Sequence, residues 1–203
     1  MIITLPLLLA YLVGGIPFGL IVAKVLRGVD IRRLGSGNIG ATNVLRAVGW
    51  KGGLAVLFLD AAKGFFPVLL AKSLSGNPIL AVAAGLASML GHTFSPFLRF
   101  TGGRGVATGL GVVLALSWQA ALSGLAVGLA LICAFRYVSL GSIVGAVSLP
   151  FFMIIFRQPL AYVAFTALAA LLIAVRHLSN IRRLLAGTEH RFGEKAAPET
   201  PAE

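Results

Sequence analysis

Residues 105–135 read GVATGLGVVLALSWQAALSGLAVGLALICAF, 31 consecutive positions without a charged side chain. At about 1.5 Å of rise per residue this is too long for one comfortable helical crossing of a bilayer, which needs about 20 residues, and short for two. The charges on either side decide how it folds. Loop 27–52 carries Arg27, Arg32, Arg33, Arg46 and Lys51, and the stretch after the last apolar run carries Arg176, Arg182, Arg183, Arg191 and Lys195. Short basic loops stay on the cytoplasmic side, so both are placed there. The loop around Arg99 and Arg104 follows two further crossings and returns to that side. From it, the C-terminal stretch is cytoplasmic only after an even number of crossings. The uncharged stretch is therefore predicted to form two helices turning near Ser117, Trp118 and Gln119.

The remaining apolar runs cover 2–24, 53–71, 78–98, 138–156 and 159–175. Together they predict an all-α, polytopic protein of seven transmembrane helices, with the N-terminus outside and the C-terminus cytoplasmic. Composition agrees: 58% of residues are hydrophobic, 11% are charged, and the mean hydropathy is +0.97, far from the balance of soluble domains. Alternating strand periodicity is absent, which argues against a barrel. The first run lacks a basic leader and a small-residue cleavage site, so it reads as a retained helix and not a signal peptide. The net charge of +11 would suit nucleic acid, but the basic residues sit in short loops between spans, which is how topology is written, and no nucleic-acid partner is expected. Cys133 is the only cysteine, so neither a disulfide framework nor a thiolate metal site is available. Residues 1–193 read as one membrane domain and 194–203, with two prolines and no apolar periodicity, as a disordered tail. No internal repeat of an inverted-repeat transporter is visible.

Chemistry is to be sought in three polar, glycine-rich stretches. The first, GSGNIGATNVLR at 35–46, offers Gly35, Gly37 and Gly40 for close backbone approach and positive φ, so that successive N–H groups converge on phosphate oxygens. Ser36, Asn38, Thr42 and Asn43 add neutral donors, and Arg46 supplies a planar fork suited to a dianion. A helix starting near Ala41 would aim its positive end at the same anion. The second stretch, 91–111, sets Arg104 between Gly102, Gly103 and Gly105, and these glycines and His92 are expected among the substrate contacts. In the third, 176–193, His177 and Asn180 share a helix face, with Arg183 three residues further along. Each stretch has a plainer reading as an interfacial loop, a topology determinant or a basic flank that meets anionic lipid. Asp60 and Lys63, at i and i+3 within a span, should pair and face protein, either as a functional group or as a mutually neutralising structural one.

Motif order, spacing and hydrophobic layout along nearly the whole chain closely resemble the PlsY family, bacterial membrane glycerol-3-phosphate acyltransferases that use acyl phosphate. The resemblance rests on GSGNIGATNVLR, LDAAKG at 59–64, GHTFSPFLRFTGGRGVAT and RHLSNIRRLLAGTEHRFG. It implies a multi-pass protein of the bacterial inner membrane with a site facing the cytoplasm. The implied reaction moves a fatty acyl group from acyl phosphate to the sn-1 hydroxyl of glycerol 3-phosphate, releasing phosphate and forming lysophosphatidic acid. Functional coupling to an acyl-phosphate-forming enzyme is also implied. The family's phosphate-binding serine and arginine fall on Ser36 and Arg46, its second-motif cation on Arg104, and its histidine and asparagine on His177 and Asn180. Many members carry lysine where this chain has Arg104, so the charge is kept and a bidentate geometry becomes available.

No HxxxxD pair marks a His-Asp base, because Phe97 stands five residues after His92. The proton acceptor is then either His177 or the phosphate itself, whose second pKa is near 6, and the expectation is substrate-assisted transfer with His177 positioning. Neither a metal nor a cofactor is expected, since hard-cation ligands are scattered and carboxylate-poor. The rival reading is a membrane transporter of a small anion or phosphate ester. It is disfavoured because all three stretches fall on one side. A non-enzymatic scaffold for anionic lipid would not need the clustered Ser, Asn and Gly.

Overall fold

The structure, a computed structural model, describes residues 4–193, so the tail 194–203 lies outside the described residues. The chain is helical: α1 Thr4–Gly15, α2 Phe18–Arg27, α3 Ala41–Val48, α4 Trp50–Ser75, α5 Pro78–Thr93, α6 Val106–Leu116, α7 Trp118–Phe135, α8 Val138–Ile155, α9 Leu160–Arg176 and α10 Leu178–Leu185. Thr4–Arg27 taken across its break, α4, α7 and α8 are long and apolar enough to cross a membrane, and α9 with α10, bent by 63°, adds a fifth stretch. The 16-residue α5 and 11-residue α6 are apolar but short.

Three boundaries differ from the sequence reading or sharpen it. The first apolar run is broken at Pro17, which has no N–H to continue the helical ladder. The run expected to reach residue 98 ends as α5 at Thr93, just before Pro96. The uncharged stretch divides at Ser117, whose extended backbone (φ −154°, ψ 103°) stops α6 while its hydroxyl accepts a bond from Ala120 N (3.4 Å) to begin α7.

Small residues let the helices approach closely. A Cβ on Gly64 would fall 2.1 Å from the Thr108 carbonyl, and one on Gly111 would fall 1.9 Å from the Ala61 carbonyl, so α4 and α6 meet backbone to backbone. Gly64 meets Thr108 and Lys72 donates to the Ala115 carbonyl, so the two helices run in the same direction. In contrast, Gly124 meets Gly145 while Gly128 meets Gly141, which makes α7 and α8 antiparallel. The main core gathers Met89, Val112, Met153 and Phe165, and a second core of Ile31, Ile39, Val44 and Val56 lies under the first polar stretch. Phe58, Leu74, Ile79, Phe151 and Ile155 face outward, as lipid contact demands.

Candidate active site

The first polar stretch is a loop wound around one amide. The buried Asn43 side chain accepts from Ser36 N (3.1 Å) and donates to the carbonyls of Ile31 (3.2 Å), Leu34 (3.0 Å) and Asn38 (2.8 Å). Gly35 (φ 55°) and Gly37 (φ 67°) take the left-handed conformation expected of them, and a Cβ on Gly35 would lie 2.6 Å from Asn43 Oδ1. Gly40 departs from that expectation, with an extended backbone (φ −74°) as the N-cap of α3. Its N–H is held by Asn38 Oδ1 (2.8 Å). Asn43 and Asn38 therefore brace the loop, Asn43's N–H groups being committed to main-chain carbonyls. Ser36 lies exposed, Thr42 is half-buried on the first turn of α3, and Arg46 projects from its last turn.

The second stretch is pressed onto the end of α5. Gly103 N donates to the His92 carbonyl (3.1 Å), and a Cβ on Gly102 would fall 2.1 Å from that same oxygen. Gly105 (φ 81°) is the N-cap of α6. Arg104 stands between them, half-buried. His92, expected among the substrate contacts, is 3% exposed, with its ring beneath Gly103.

The third stretch turns the corner between α9 and α10 at His177. His177 is buried, and its Nδ1 lies 2.8 Å from the Ile173 carbonyl. A carbonyl only accepts, so Nδ1 carries the proton and Nε2 keeps its lone pair. Burial is the main cause that lowers the His177 pKa to about 4; the bond to Ile173 opposes the shift without cancelling it. The imidazole is therefore neutral near pH 7. Asn180 and Arg183, further along the same face, converge on a residue the sequence reading passed over. Glu189 accepts from Asn180 Nδ2 (2.6 Å), Ser139 Oγ (2.8 Å) and Arg183 Nε (2.7 Å). Burial acts to raise its pKa, but those three hydrogen bonds outweigh it and hold the carboxyl below its usual value. The signal was available: Glu189 is the only carboxylate between Asp60 and Glu194.

All three stretches meet at Arg104. Its guanidinium has its pKa lowered chiefly by burial, is favoured by Glu189, and is opposed by Arg183, Arg176 and Arg46. Arg176 Nη2 also donates to the Gly102 carbonyl (3.0 Å), tying the third stretch to the second. Four guanidinium groups and one carboxylate leave an excess of three positive charges, which suits dianionic phosphate groups. Arg176 Nε and Asn180 Oδ1 are buried with no hydrogen-bond partner within the protein, so one donor and one acceptor remain for a ligand. Beside this cluster an apolar pocket runs between α6, α7, α8 and α9, from Val106 and Ile173 past Gly128 and Gly145 to Leu149. Its lining residue Val106 follows Gly105 in the chain, and Ile173, also in the lining, is the residue that orients His177. Among the described residues no three His, Cys, Asp or Glu side chains are grouped to hold a metal ion.

A sequence profile of the glycerol-3-phosphate acyltransferase family matches residues 4–187. The chain is 50% identical over 192 residues to glycerol-3-phosphate acyltransferase 2 of Moorella thermoacetica, covering 95% of this chain and 98% of that one. It is 49% identical over 186 residues to the glycerol-3-phosphate acyltransferase of Desulforamulus reducens, covering 92% and 93%. Its fold is similar to crystal structures of PlsY, an integral membrane glycerol 3-phosphate acyltransferase. The glycerol 3-phosphate form matches with a TM-score of 0.91 at 45% identity, covering 95% of this chain and 96% of that one. The lysophosphatidic acid form matches with a TM-score of 0.89 at 44% identity over the same shares.

Proposed function

This chain belongs to the glycerol-3-phosphate acyltransferase family, as an integral membrane enzyme that acylates glycerol 3-phosphate to lysophosphatidic acid, and we propose from that premise how its residues do so. The donor is acyl phosphate and the acceptor is the sn-1 hydroxyl. Arg46 and Arg104 neutralise the two phosphate groups, and Ser36, the N–H groups of 35–43 and the loop 102–105 complete the cradle. Asn180 and Arg176 present their unpartnered polar atoms to the substrates. His177, neutral and with Nε2 free to accept, holds the attacking hydroxyl. The acyl chain lies in the apolar pocket that begins at Val106.

The reaction then balances without an added base. The glycerol oxygen bonds to the acyl carbon, the bond from that carbon to the phosphate oxygen breaks, and the hydroxyl proton leaves on the departing phosphate. N–H groups of the cradle stabilise the developing oxyanion. The site faces the cytoplasm of a bacterial inner membrane, and seven crossings result if the short α5 and α6 each cross once. Coupling to an enzyme that forms acyl phosphate supplies the donor.

One observation supports this reading: Arg104, in electrostatic reach of Arg46, Arg176 and Arg183, stands two residues before Val106, which lines the apolar pocket. Purified protein should release phosphate from acyl phosphate only when glycerol 3-phosphate is present. Transfer from an acyl thioester with no use of acyl phosphate would overturn the donor. Uptake of glycerol 3-phosphate into proteoliposomes without acylation would revive the transporter.

A further inference from the structure

Beneath the loop that carries Arg104 lies a buried ionic cluster that the reaction as described does not use. Asp60, Lys63 and His92 are 2%, 3% and 3% exposed. Lys63 Nζ lies 2.7 Å from Asp60 Oδ1 and donates to the Ile16 carbonyl (2.8 Å), at the break that Pro17 makes between α1 and α2. The same ammonium sits over the Phe18 ring, 5.5 Å from its centre. His92 Nδ1 faces the same Asp60 oxygen at 3.8 Å, beyond hydrogen-bond length, and has no hydrogen-bond partner of its own. On its other edge the His92 ring meets the backbone of Gly103, where an added Cβ would stand 2.1 Å from Nε2. Ser88 Oγ donates to the Lys63 carbonyl (2.7 Å), locking α5 to α4 at the same level.

The cluster thus touches the second loop directly and reaches the first through α2. Upward, His92 is the floor on which Gly102 and Gly103 rest. Sideways, Lys63 pins the start of α2, and Gly19 on α2 packs so tightly on the Ile39 carbonyl that a Cβ would fall 1.7 Å from it. We propose that Asp60, Lys63 and His92 are positioning residues for acyl transfer, fixing the height of Arg104 and the angle of the first loop without touching substrate. The inference rests on the assignment of Arg104 to the phosphate site. A buried pair retained only for stability would hold helices together and leave the loop's contacts with substrate unaltered. The stacking of Gly103 on the ring makes the loop's position depend on His92.

The test separates these roles by coupling. His92→Ala and Arg104→Ala are measured singly and together, as kcat/KM for each substrate, with thermal midpoints in detergent. His92→Ala should lower kcat/KM about 100-fold, the loss that a misplacement of about 1 Å can produce, and should add almost nothing in the Arg104→Ala background. Gly103→Ala, which drives a Cβ into the ring, should reproduce that loss, and the pair Gly103→Ala with His92→Ala should recover part of it by removing the collision. Gly103→Ala carries the same comparison if His92→Ala yields no folded protein. Equal losses in both backgrounds, a fall in thermal midpoint with kcat/KM unchanged, or full activity of Gly103→Ala would each overturn the proposal. Wild-type kinetics of Arg104→Ala would instead overturn the phosphate site on which it rests.

Discussion

Glu189→Gln asks whether one carboxylate organises the third stretch. One carboxylate oxygen accepts from Asn180 Nδ2 (2.6 Å) and Ser139 Oγ (2.8 Å), and the other accepts from Arg183 Nε (2.7 Å). Glutamine offers one acceptor and one donor in the same volume, so whichever way the amide turns, at least one of these donors meets an N–H₂ group. A hydrogen bond to a charged group contributes about 1.5 to 3 kcal/mol, and Glu189 is 9% exposed, so solvent gives little relief. At about 2 to 4 °C per kcal/mol for a chain of this size, the thermal midpoint should fall by about 3 to 12 °C. Because Asn180 and Arg183 lose their anchor, kcat should fall as well, by about 10-fold or more. Glu189→Ala should be worse on both measures. The assay pairs a melting curve in detergent with steady-state phosphate release. An unchanged midpoint together with an unchanged kcat would refute the role given to Glu189.

Two further outcomes follow. His177 is held at about 4 against an ordinary 6.5, so the unfolded chain takes up its proton first, and stability is lost as pH falls from 6.5 towards 4, by about 3 kcal/mol at full extent; wild type should lose thermal midpoint over that window more steeply than His177→Asn, and parallel curves would exclude the shift. Cysteine-labelling probes placed at 48, 101 and 190 should report the cytoplasm and a probe at Gln119 the opposite side, and a cytoplasmic Gln119 would remove the seven-span topology.

What the sequence disclosed depended on whether a feature was written in charge and hydropathy or in contact. The division at Ser117 was legible because an even number of crossings was needed to reconcile the basic loops, and the break falls at that residue. The Asp60–Lys63 pair was legible from helical spacing alone and stands at 2.7 Å. The break at Pro17 was not drawn, because hydropathy runs unbroken through it and proline reports a lost N–H, not a change in polarity. The packing of His92 was hidden for a related reason: a histidine in a glycine-rich motif looks the same whether it faces a ligand or carries the loop, and its contact with Gly103 is visible only in the fold. Glu189 was overlooked because its partners Ser139 and Asn180 lie 50 and 9 residues away, beyond any local pattern.

Arg46 and Arg104, from two separate stretches, are proposed to complete one composite site for the two substrate phosphates beside the apolar pocket. That site is tested most directly by kcat/KM for acyl phosphate and for glycerol 3-phosphate in purified, membrane-inserted Arg46→Ala and Arg104→Ala. Removing one charged contact to a desolvated phosphate should cost about 2 to 5 kcal/mol, a loss of about 30- to 5000-fold in each variant. Normal insertion with wild-type kinetics for both substrates in both variants would rule out that composite site.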